Sequence, residues 1–194
     1  MSAALSNALV AGTVLAGPRL VLRRLELADV GDTYLGWLND PAVNAYLETR
    51  HERQTIATVE AYVRRMLDKA DECLMAICRR DGMHIGNIKV GPIHPHHKVA
   101  DVSLFIGARD CWGQGFATEA IGLASGHAFR TLGVEKLSAG MYAPNVASTK
   151  AFLRSGFKIE GTREKHYQLA GARCDILLLG LTRDAWRDRA AQRS

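Results

Sequence analysis

The stretch "CWGQGFATEAI", Cys111 to Ile121, places Gly113 and Gly115 directly before a run of helix-forming residues. A glycine loop that leads into a helix N-terminus exposes backbone N–H groups and the positive end of the helix dipole, and such a site binds phosphate. Small residues at Gly113, Gly115 and Ala117 let a phosphate approach the main chain. Trp112 is too bulky to lie in that groove, so we expect it to brace the loop. The structural alternative is a plain strand-to-helix turn.

Residues around Gly115 exclude two other phosphate-binding motifs. A P-loop has Lys followed by Ser or Thr after its last glycine, whereas Phe116 and Ala117 follow here. A dinucleotide-binding fingerprint has Gly or Ala three residues after its second glycine, and that position is Thr118. That fingerprint also requires parallel strand–helix alternation, which the pattern upstream of the loop does not supply.

Hydrophobic periodicity on both sides of the loop predicts the secondary structure. Strands are predicted at 12–16, 19–27, 73–79, 84–93, 100–107, 136–142, 157–167 and 173–181. Helices are predicted at 29–38, 42–47, 55–69, 116–132 and 145–156, the last with Asn145 as its N-cap and Gly156 as its stop. The predicted fold class is α/β (α+β), with a central mixed, mostly antiparallel, twisted sheet flanked by helices. A helix pair is inserted early, and a strand–loop–helix crossover lies at the centre of the sheet.

Length and composition indicate one domain. The chain of 194 residues is long enough for a single core, and it contains no internal repeat. We expect an N-terminal arm at 1–17 and a single domain at 18–194. The arm is apolar but lacks a basic n-region, so it does not predict a signal peptide, and no stretch reaches transmembrane length. We therefore expect a cytoplasmic protein with no membrane partner.

The net charge, the cysteines and the histidines indicate which ligands and metals to expect. A net charge of +5 favours anionic ligands, but the basic residues are scattered and form no block, so we predict no nucleic-acid partner. The four cysteines show no paired spacing and are expected to be reduced thiols. The segment "HPHH" at 94–97 lacks an obvious fourth ligand, so we predict a polar hairpin loop and no metal.

Two segments resemble a known family. "WGQGFATEAI" resembles the acyl-CoA loop of the GNAT acetyltransferase superfamily, in the branch that includes the ribosomal-protein N-terminal acetyltransferases, the Rim group. The chain keeps Gly115 and Ala117 of that pattern and has Trp112 where Gln or Arg is common. "NVASTKAFLRSGF", 145–157, resembles the Asn-x-x-Ser helix of the same branch, which ends in Gly-Phe. The resemblance runs from about Arg19 to Leu181 and implies the GNAT fold.

The resemblance implies an N-acetyltransferase that moves the acetyl group of acetyl-CoA to a primary amine. Acetyl-CoA is then the co-substrate, and no metal is needed. The expected cofactor-binding residues are Phe105, Ile106, Gly107, Trp112, Gly113, Gln114, Gly115, Phe116, Ala117, Thr118, Asn145 and Ser148. Besides capping its helix, Asn145 is expected to hydrogen-bond the pantetheine arm.

The expected catalytic residues are Ser148, Asn145, Asp101 and Tyr142. Many superfamily members have a tyrosine at the position of Phe152, whose hydroxyl protonates the thiolate. Ser148 lies four residues earlier on the same helix face and is the better acid here, with Tyr142 in reserve. Asp101 precedes the loop in a strand, as a base candidate that acts through water or as an edge carboxylate paired with a lysine. Glu48 and His51 are alternatives for the base.

The weakness of the base candidates favours an acceptor amine of low pKa. A lysine side chain has a pKa of about 10.4, whereas an α-amine has one of about 8. A protein N-terminal α-amine and the amine of an amino sugar both fit. The missing hydroxyl at Phe152 also leaves open a non-catalytic acyl-CoA-binding regulatory module.

The early helices and the loop after them are expected to form the acceptor wall. The segment "WLNDPAVNAYLETRH", 37–51, resembles bacterial nucleotide-linked amino-sugar N-acetyltransferases. The expected substrate-binding residues are Trp37, Asn39, Glu48, Arg50 and His51. Arg50 could pair with a diphosphate, or be solvated, and Trp37 could stack on a sugar or base, or pack in the core. A small-molecule or peptide amine is thus the expected partner. Exposed strands and the apolar arm also make a homodimer plausible.

Overall fold

The computed structural model describes residues 13–192, and eight strands in this part of the chain form one sheet. The strands are β1 (Val14–Ala16), β2 (Leu20–Arg24), β3 (Cys73–Arg79), β4 (His84–His94), β5 (Val99–Ile106), β6 (Lys136–Tyr142), β7 (Lys158–Leu169) and β8 (Ala172–Thr182). The helices are α1 (Asp32–Asn39), α2 (Pro41–Asn44), α3 (Ile56–Leu67), α4 (Phe116–Arg130), α5 (Val146–Arg154) and α6 (Arg183–Ala191). Short 3₁₀ turns lie at Leu27–Asp29, Glu48–His51 and Arg109–Cys111.

The strand order is β1-β2-β3-β4-β5-β6-β8-β7. Every neighbouring pair is antiparallel except β5 and β6, which are parallel. The predicted mixed, mostly antiparallel sheet is therefore confirmed. The pairing of β5 with β6 covers only Val99–Asp101 against Lys136–Ser138, although both strands continue beyond it. The backbone of β5 after Asp101 consequently lacks a sheet partner on the side of β6, and this gap positions the site described below.

The core includes buried residues of α1 and α3, and one large part of it lies where α4 packs on the sheet. β3 is buried along almost its whole length, as expected for an apolar run in an interior strand. On α4, Ala120, Ile121, Ala124 and Ala128 are fully buried. The small side chains of the three alanines let the helix pack closely on the sheet, and Ile121 fills the space beside them. The glycine loop at the start of α4 is thereby held on a rigid element.

The segment between β2 and α1 differs from its prediction. The strand ends at Arg24 rather than continuing to residue 27, and the helix begins at Asp32 rather than at Asp29. Asp29 instead accepts two hydrogen bonds from the Arg23 guanidinium, of 2.7 and 2.6 Å, and one from the backbone N–H of Glu26. Asp29 is thus the last residue of the 3₁₀ turn Leu27–Asp29, and its carboxylate is bound to Arg23 and Glu26 and does not cap α1.

The remaining predicted elements agree with the structure within a few residues. The edge strand predicted at 12–16 is present as β1, at Val14–Ala16, and residues 1–12 of the predicted arm lie outside the described part of the chain. Asn145 caps α5, and Gly156 follows it with φ +102°. Among residues 13–192, no helix combines the length and the apolar character needed to span a membrane. The predicted homodimer and cytoplasmic location stay predictions.

Candidate active site

A cleft of about 680 Å³ opens where β5 and β6 separate. Its walls are the unpaired part of β5, the glycine loop with the first turn of α4, the outer face of α5, and α2 with the residues after it. The residues that line it include Ala42, Val43, Tyr46, Leu47, Val102, Ser103, Leu104, Phe105, Ile106, Trp112, Gly113, Gly115, Phe116, Ala117, Thr118, Gly140, Asn145, Ser148 and Phe152. Most of the residues predicted to hold acetyl-CoA are thus brought together on the walls of one cleft.

The glycine loop has the backbone conformation that its composition predicts. Gly113 and Gly115 have φ values of +73° and +81°, in the left-handed region that favours glycine. Gly115 is the N-cap residue of α4 and makes no side-chain cap. The first N–H groups of α4 therefore have no side-chain acceptor at the cap and lie at the wall of the cleft, an arrangement that fits a phosphate.

Trp112 braces the loop, as predicted. Its indole N–H donates a 2.8 Å hydrogen bond to the carbonyl oxygen of Ile106, the last residue of β5. The ring is 42% exposed, and the Arg109 guanidinium lies 5.8 Å from its centre. The side chain therefore connects the loop to the unpaired strand across the mouth of the cleft.

Arg19 and Glu119 form a charged cluster behind the loop that was not predicted from the sequence. The Glu119 carboxylate accepts hydrogen bonds from the backbone N–H groups of Arg19 and Leu20, of 2.8 and 2.9 Å, and from the Arg19 guanidinium. Arg19 also donates to the carbonyl oxygen of Gln114 and lies 4.6 Å from the ring centre of Phe116. Burial alone would raise the pKa of Glu119, but the hydrogen bonds outweigh it and hold that pKa below its ordinary value. The loop is thus fastened to the start of β2.

α5 presents its predicted polar residues to the cleft. The side-chain oxygen of Asn145 accepts a 3.2 Å hydrogen bond from the backbone N–H of Ser148, which satisfies the helix cap. Among residues 13–192 the Asn145 amide N–H₂ has no acceptor, so it can donate to a ligand. Ser148 and Phe152 both line the cleft, as their spacing of four residues predicts. Phe152 is buried with its ring 4.9 Å from that of Phe157, so the Ser148 hydroxyl is the proton-carrying group on this part of the wall.

Two charged residues of α5 also line the cleft and were missed. Lys150 and Arg154, four residues apart, line it and are exposed. Neither side chain takes part in an ion pair with another described residue. Their offsets from Ser148, two and six residues, do not place them on the face of Ser148 and Phe152, so helix periodicity gave no signal for them. They give this wall a positive charge that suits the phosphates of CoA.

Two residues predicted to bind the cofactor do not line the cleft. Gly107 is buried, and a Cβ atom added there would lie within 2.5 Å of the Trp37 ring, so its small size serves close packing. Gln114 points back across its own loop and donates to the carbonyl oxygen of Asp110. The side chain of Gln114 and the small size of Gly107 therefore stabilise the backbone next to the cleft and do not line it.

Tyr142, the predicted reserve acid, lies in a hydrogen-bonded cluster with Glu48 and Arg50. The Tyr142 hydroxyl donates a 2.6 Å hydrogen bond to the Glu48 carboxylate and accepts one of 2.7 Å from the Arg50 guanidinium. Burial, and then the hydrogen bond to Glu48, raise the pKa of Tyr142. The same hydrogen bond is the main cause that lowers the pKa of Glu48, which stays ionised near neutral pH.

Asp101 does not reach the cleft. It lies on the exposed part of β5 that still pairs with β6 at Ser138, before the strands separate. The lysines considered as its partners are bound elsewhere, Lys89 to Glu72 and Lys98 to Glu135. Asp101 is exposed and is not among the described residues that line the cleft, so its role as a base that acts through water stays a prediction.

The predicted acceptor residues divide into buried and exposed groups. Trp37 is only 9% exposed and packs against His84 and Phe105, so it cannot stack on a ligand. Asn39 exchanges hydrogen bonds with the backbone of Gln54 and holds the loop in place. Both predictions are corrected, because an aromatic ring and an amide at these positions complete the fold.

The other predicted acceptor residues lie in the 3₁₀ turn Glu48–His51; they are Glu48, Arg50 and His51. The Glu48 side chain is 67% exposed, and that of His51 is 60% exposed, with an imidazole nitrogen 3.6 Å from the Glu48 carboxylate. Arg50 has its guanidinium bound to Tyr142 and to the carbonyl oxygen of Leu47, so it is not free for a diphosphate. Glu48 and His51 are therefore the two predicted acceptor residues that remain accessible.

Within residues 13–192, no group of three or more His, Cys, Asp or Glu side chains is arranged to hold a metal ion. The histidines of "HPHH" lie at the end of β4 and in the exposed turn that follows it. The four cysteines are unpaired thiols, of which Cys73, Cys78 and Cys111 are buried.

Comparison with known proteins agrees with this geometry. Residues 19–158 match the model of the acetyltransferase (GNAT) domain. The uncharacterized N-acetyltransferase YoaA of Bacillus subtilis (strain 168) is 28% identical over 159 residues, which cover 80% of this chain and 89% of that protein.

Solved structures share the fold. Spermidine N-acetyltransferase from Vibrio cholerae in complex with CoA and spermine has a TM-score of 0.79 at 20% identity, over 88% of this chain and 99% of that one. Mycobacterium smegmatis RimJ in complex with CoA-disulfide has a TM-score of 0.75 at 21% identity, over 93% of this chain and 92% of that one. With the family match, the glycine loop and the Asn-x-x-Ser helix on one cleft, the chain belongs to the GNAT family and is an acetyl-CoA-dependent N-acetyltransferase.

Proposed function

We propose that the acceptor is a primary amine of low pKa, a class that includes peptide α-amines and the amines of nucleotide-linked amino sugars. One observation carries this proposal. Among the described residues that line the cleft, none is Asp, Glu or His. The ionisable side chains on its walls are Tyr46, Cys111, Lys150 and Arg154, and none of these is a suitable base for an ammonium group at neutral pH.

Because these described walls supply no Asp, Glu or His as a base, the amine must be able to lose its proton without one. An amine attacks only after it has lost its proton. At pH 7 an α-amine with a pKa of about 8 is neutral in about 10% of molecules, whereas a lysine-like amine with a pKa of about 10.4 is neutral in about 0.04%. Orientation of the two reactants can supply roughly 7–11 kcal/mol of the barrier, so a cleft without its own base can still accelerate the reaction.

The residues of the cleft fit acetyl-CoA, which supplies an activated acyl group when it is bound. The loop at 113–115 and the N-terminus of α4 offer N–H donors to phosphate, and the unpaired edge of β5 offers backbone groups to the pantetheine arm. Asn145 has a free amide donor on the same cleft. We assign the Ser148 hydroxyl the role of proton donor to the leaving sulfur.

The acceptor enters from the end formed by α2 and the two cleft residues after it, Tyr46 and Leu47. The nucleotide-linked amino sugar loses the two contacts predicted for it, since Trp37 is buried and Arg50 is bound to Tyr142. A peptide α-amine needs neither contact. It is therefore the acceptor to test first.

The experiment is CoA release from acetyl-CoA with a panel of peptides, nucleotide-linked amino sugars, polyamines and aminoglycosides. We expect turnover with a peptide or amino sugar and much weaker turnover with polyamines. Preference for polyamines would refute the low-pKa proposal. Binding of CoA without turnover of any amine would favour the non-catalytic module that the Phe152 position left open.

A further inference from the structure

Glu48, Arg50 and Tyr142, here called the Glu48 cluster, join three parts of the chain. Glu48 and Arg50 lie in the turn after α2, and Tyr142 is the last residue of β6. Tyr142 donates to Glu48 at 2.6 Å and accepts from Arg50 at 2.7 Å. Arg50 also donates to the carbonyl oxygen of Gln168 on β7 at 3.3 Å. The turn is thus attached to the ends of two strands.

The cluster lies next to the acceptor end of the cleft. Leu47, which precedes Glu48, lines the cleft, and so does Gly140, two residues before Tyr142. Tyr46 also lines it, and its ring centre is 6.0 Å from that of Tyr142. An amine that enters between α2 and the end of β6 therefore passes this cluster before it reaches the interior.

The members of the cluster differ in accessibility. The Arg50 side chain is only 14% exposed, lies 4.9 Å from the ring centre of Tyr142, and donates to the carbonyl oxygen of Leu47 at 2.8 Å. Tyr142 is buried. The Glu48 side chain is 67% exposed. Tyr142 and Arg50 thus hold a carboxylate that stays open to solvent. Arg50 is also its ion-pair partner, 3.4 Å from Oε1, and the imidazole of His51 lies 3.6 Å from Oε2.

We propose that Tyr142 and Arg50 are positioning residues that hold the Glu48 carboxylate as the docking site for the positively charged ammonium form of the acceptor. This inference rests on the proposed function, because a low-pKa amine arrives at neutral pH mostly as the ammonium ion. The ammonium binds Glu48, loses its proton to water, and enters the cleft as the neutral amine. The Tyr142 hydroxyl is already donated to Glu48, so its part is to orient that carboxylate, and Ser148 remains the acid.

The test uses the panel amine with the highest turnover and the variants Glu48→Gln and Tyr142→Phe. At pH 7 we expect Glu48→Gln to raise the KM for the amine about 5-fold, with the KM for acetyl-CoA unchanged. This effect should disappear at a pH above the pKa of the amine, where no ammonium remains to bind. Tyr142→Phe should raise the same KM with little change in kcat. Glu52→Gln, an exposed carboxylate in the same segment that has no ion pair within the described residues, is the matched control and should behave as the unmodified protein.

The outcomes separate the two proposals. Turnover with an amine KM that Glu48→Gln leaves unchanged would overturn the docking role and leave the proposed function standing. A Tyr142→Phe variant with a large loss of kcat and an unchanged amine KM would show that Tyr142 is the acid and would also overturn the inference. Failure of every amine to turn over would refute the proposed function together with the docking site.

Discussion

The indole N–H of Trp112 donates a 2.8 Å hydrogen bond to the carbonyl oxygen of Ile106 and fixes the glycine loop to the end of β5. The loop supplies the phosphate-binding N–H groups, and β5 supplies the unpaired backbone edge. One side chain therefore sets the distance between the two parts of the cleft that are expected to hold acetyl-CoA.

Trp112→Phe should weaken acetyl-CoA binding. The ring volume is largely kept, but the hydrogen bond to Ile106 is lost, and a net contribution of about 1 kcal/mol corresponds to about a 5-fold rise in Kd. Isothermal titration with CoA measures this change. Trp186→Phe, in which the ring packs against Phe129 away from the cleft, is the control. An unchanged Kd in Trp112→Phe would mean that the brace does not position the loop.

Gly115→Glu should abolish CoA binding. The new carboxylate would lie at the N-terminus of α4, where we place a phosphate, and like charges repel there. The residue also has φ +81°, so the substitution adds backbone strain of about 1–2 kcal/mol. Gly82→Glu is the matched control, because Gly82 has φ +87° with open space around it and lies in the turn between β3 and β4. If Gly115→Glu bound CoA as tightly as Gly82→Glu does, the loop assignment would be wrong.

Two substitutions at Asn145 should separate its structural role from its role in binding. Asn145→Ala removes the cap of α5 and should lower the free energy of unfolding by about 1 kcal/mol. Asn145→Ser keeps a capping oxygen but lacks the amide donor, so stability should be nearly unchanged. Both variants should raise the KM for acetyl-CoA. A normal KM in Asn145→Ser would show that Asn145 acts only as a cap.

Ser148→Ala should lower kcat more than it weakens acetyl-CoA binding. A positioned proton donor contributes typically 10²–10⁴-fold, so we expect a loss of about 100-fold in kcat. Ser148→Thr keeps a hydroxyl and should recover part of the rate. Equal turnover in Ser148→Ala would assign the protonation of the thiolate to Tyr142 or to water, and the Tyr142→Phe variant would separate these two.

Glu119→Gln should destabilise the protein by about 1–3 kcal/mol, because the carboxylate accepts hydrogen bonds from the Arg19 guanidinium and two backbone N–H groups. The pKa of Glu119 is lowered in the folded state, so its contribution is fully present above the ordinary glutamate pKa of about 4.3 and is lost as the pH falls through the lowered value. Chemical denaturation at pH 7 and at progressively lower pH measures this dependence. Glu60→Gln, which removes an exposed 3.9 Å ion pair with Arg64, is the control and should change stability little. A difference between the two variants that did not shrink in acid would contradict this account of Glu119.

Local patterns predicted most elements of the fold. Alternation identified the strands, and Asn145 and Gly156 delimit α5 because capping depends on a few neighbouring residues. The exception lies between β2 and α1, where Asp29 carries a typical helix-start signal but is bound by Arg23. That ion pair depends on where the strand ends, which periodicity does not determine.

The cofactor side of the cleft was more predictable than the acceptor side. The glycine loop and the Asn-x-x-Ser helix are contiguous segments, so their function is visible in the sequence. The roles of Trp37 and Arg50 depend on partners that lie up to 118 residues away, such as Gln168. A tryptophan and an arginine near a predicted acceptor wall look alike whether they face a ligand or complete the fold. Arg19 was missed for the same reason, since its contacts with Glu119 span 100 residues.

The most direct test of the central claim is the pH dependence of kcat/KM for two good acceptor amines whose pKa values differ by at least one unit. Because the described residues on the cleft walls include no Asp, Glu or His, we predict that kcat/KM rises with pH until the pKa of each amine, so that the midpoint of the profile moves with the amine. A midpoint that stays at one pH for both amines, below the pKa of either, would show that a group of the enzyme removes the proton. That result would contradict the account of an acetyltransferase that relies on the low pKa of its acceptor.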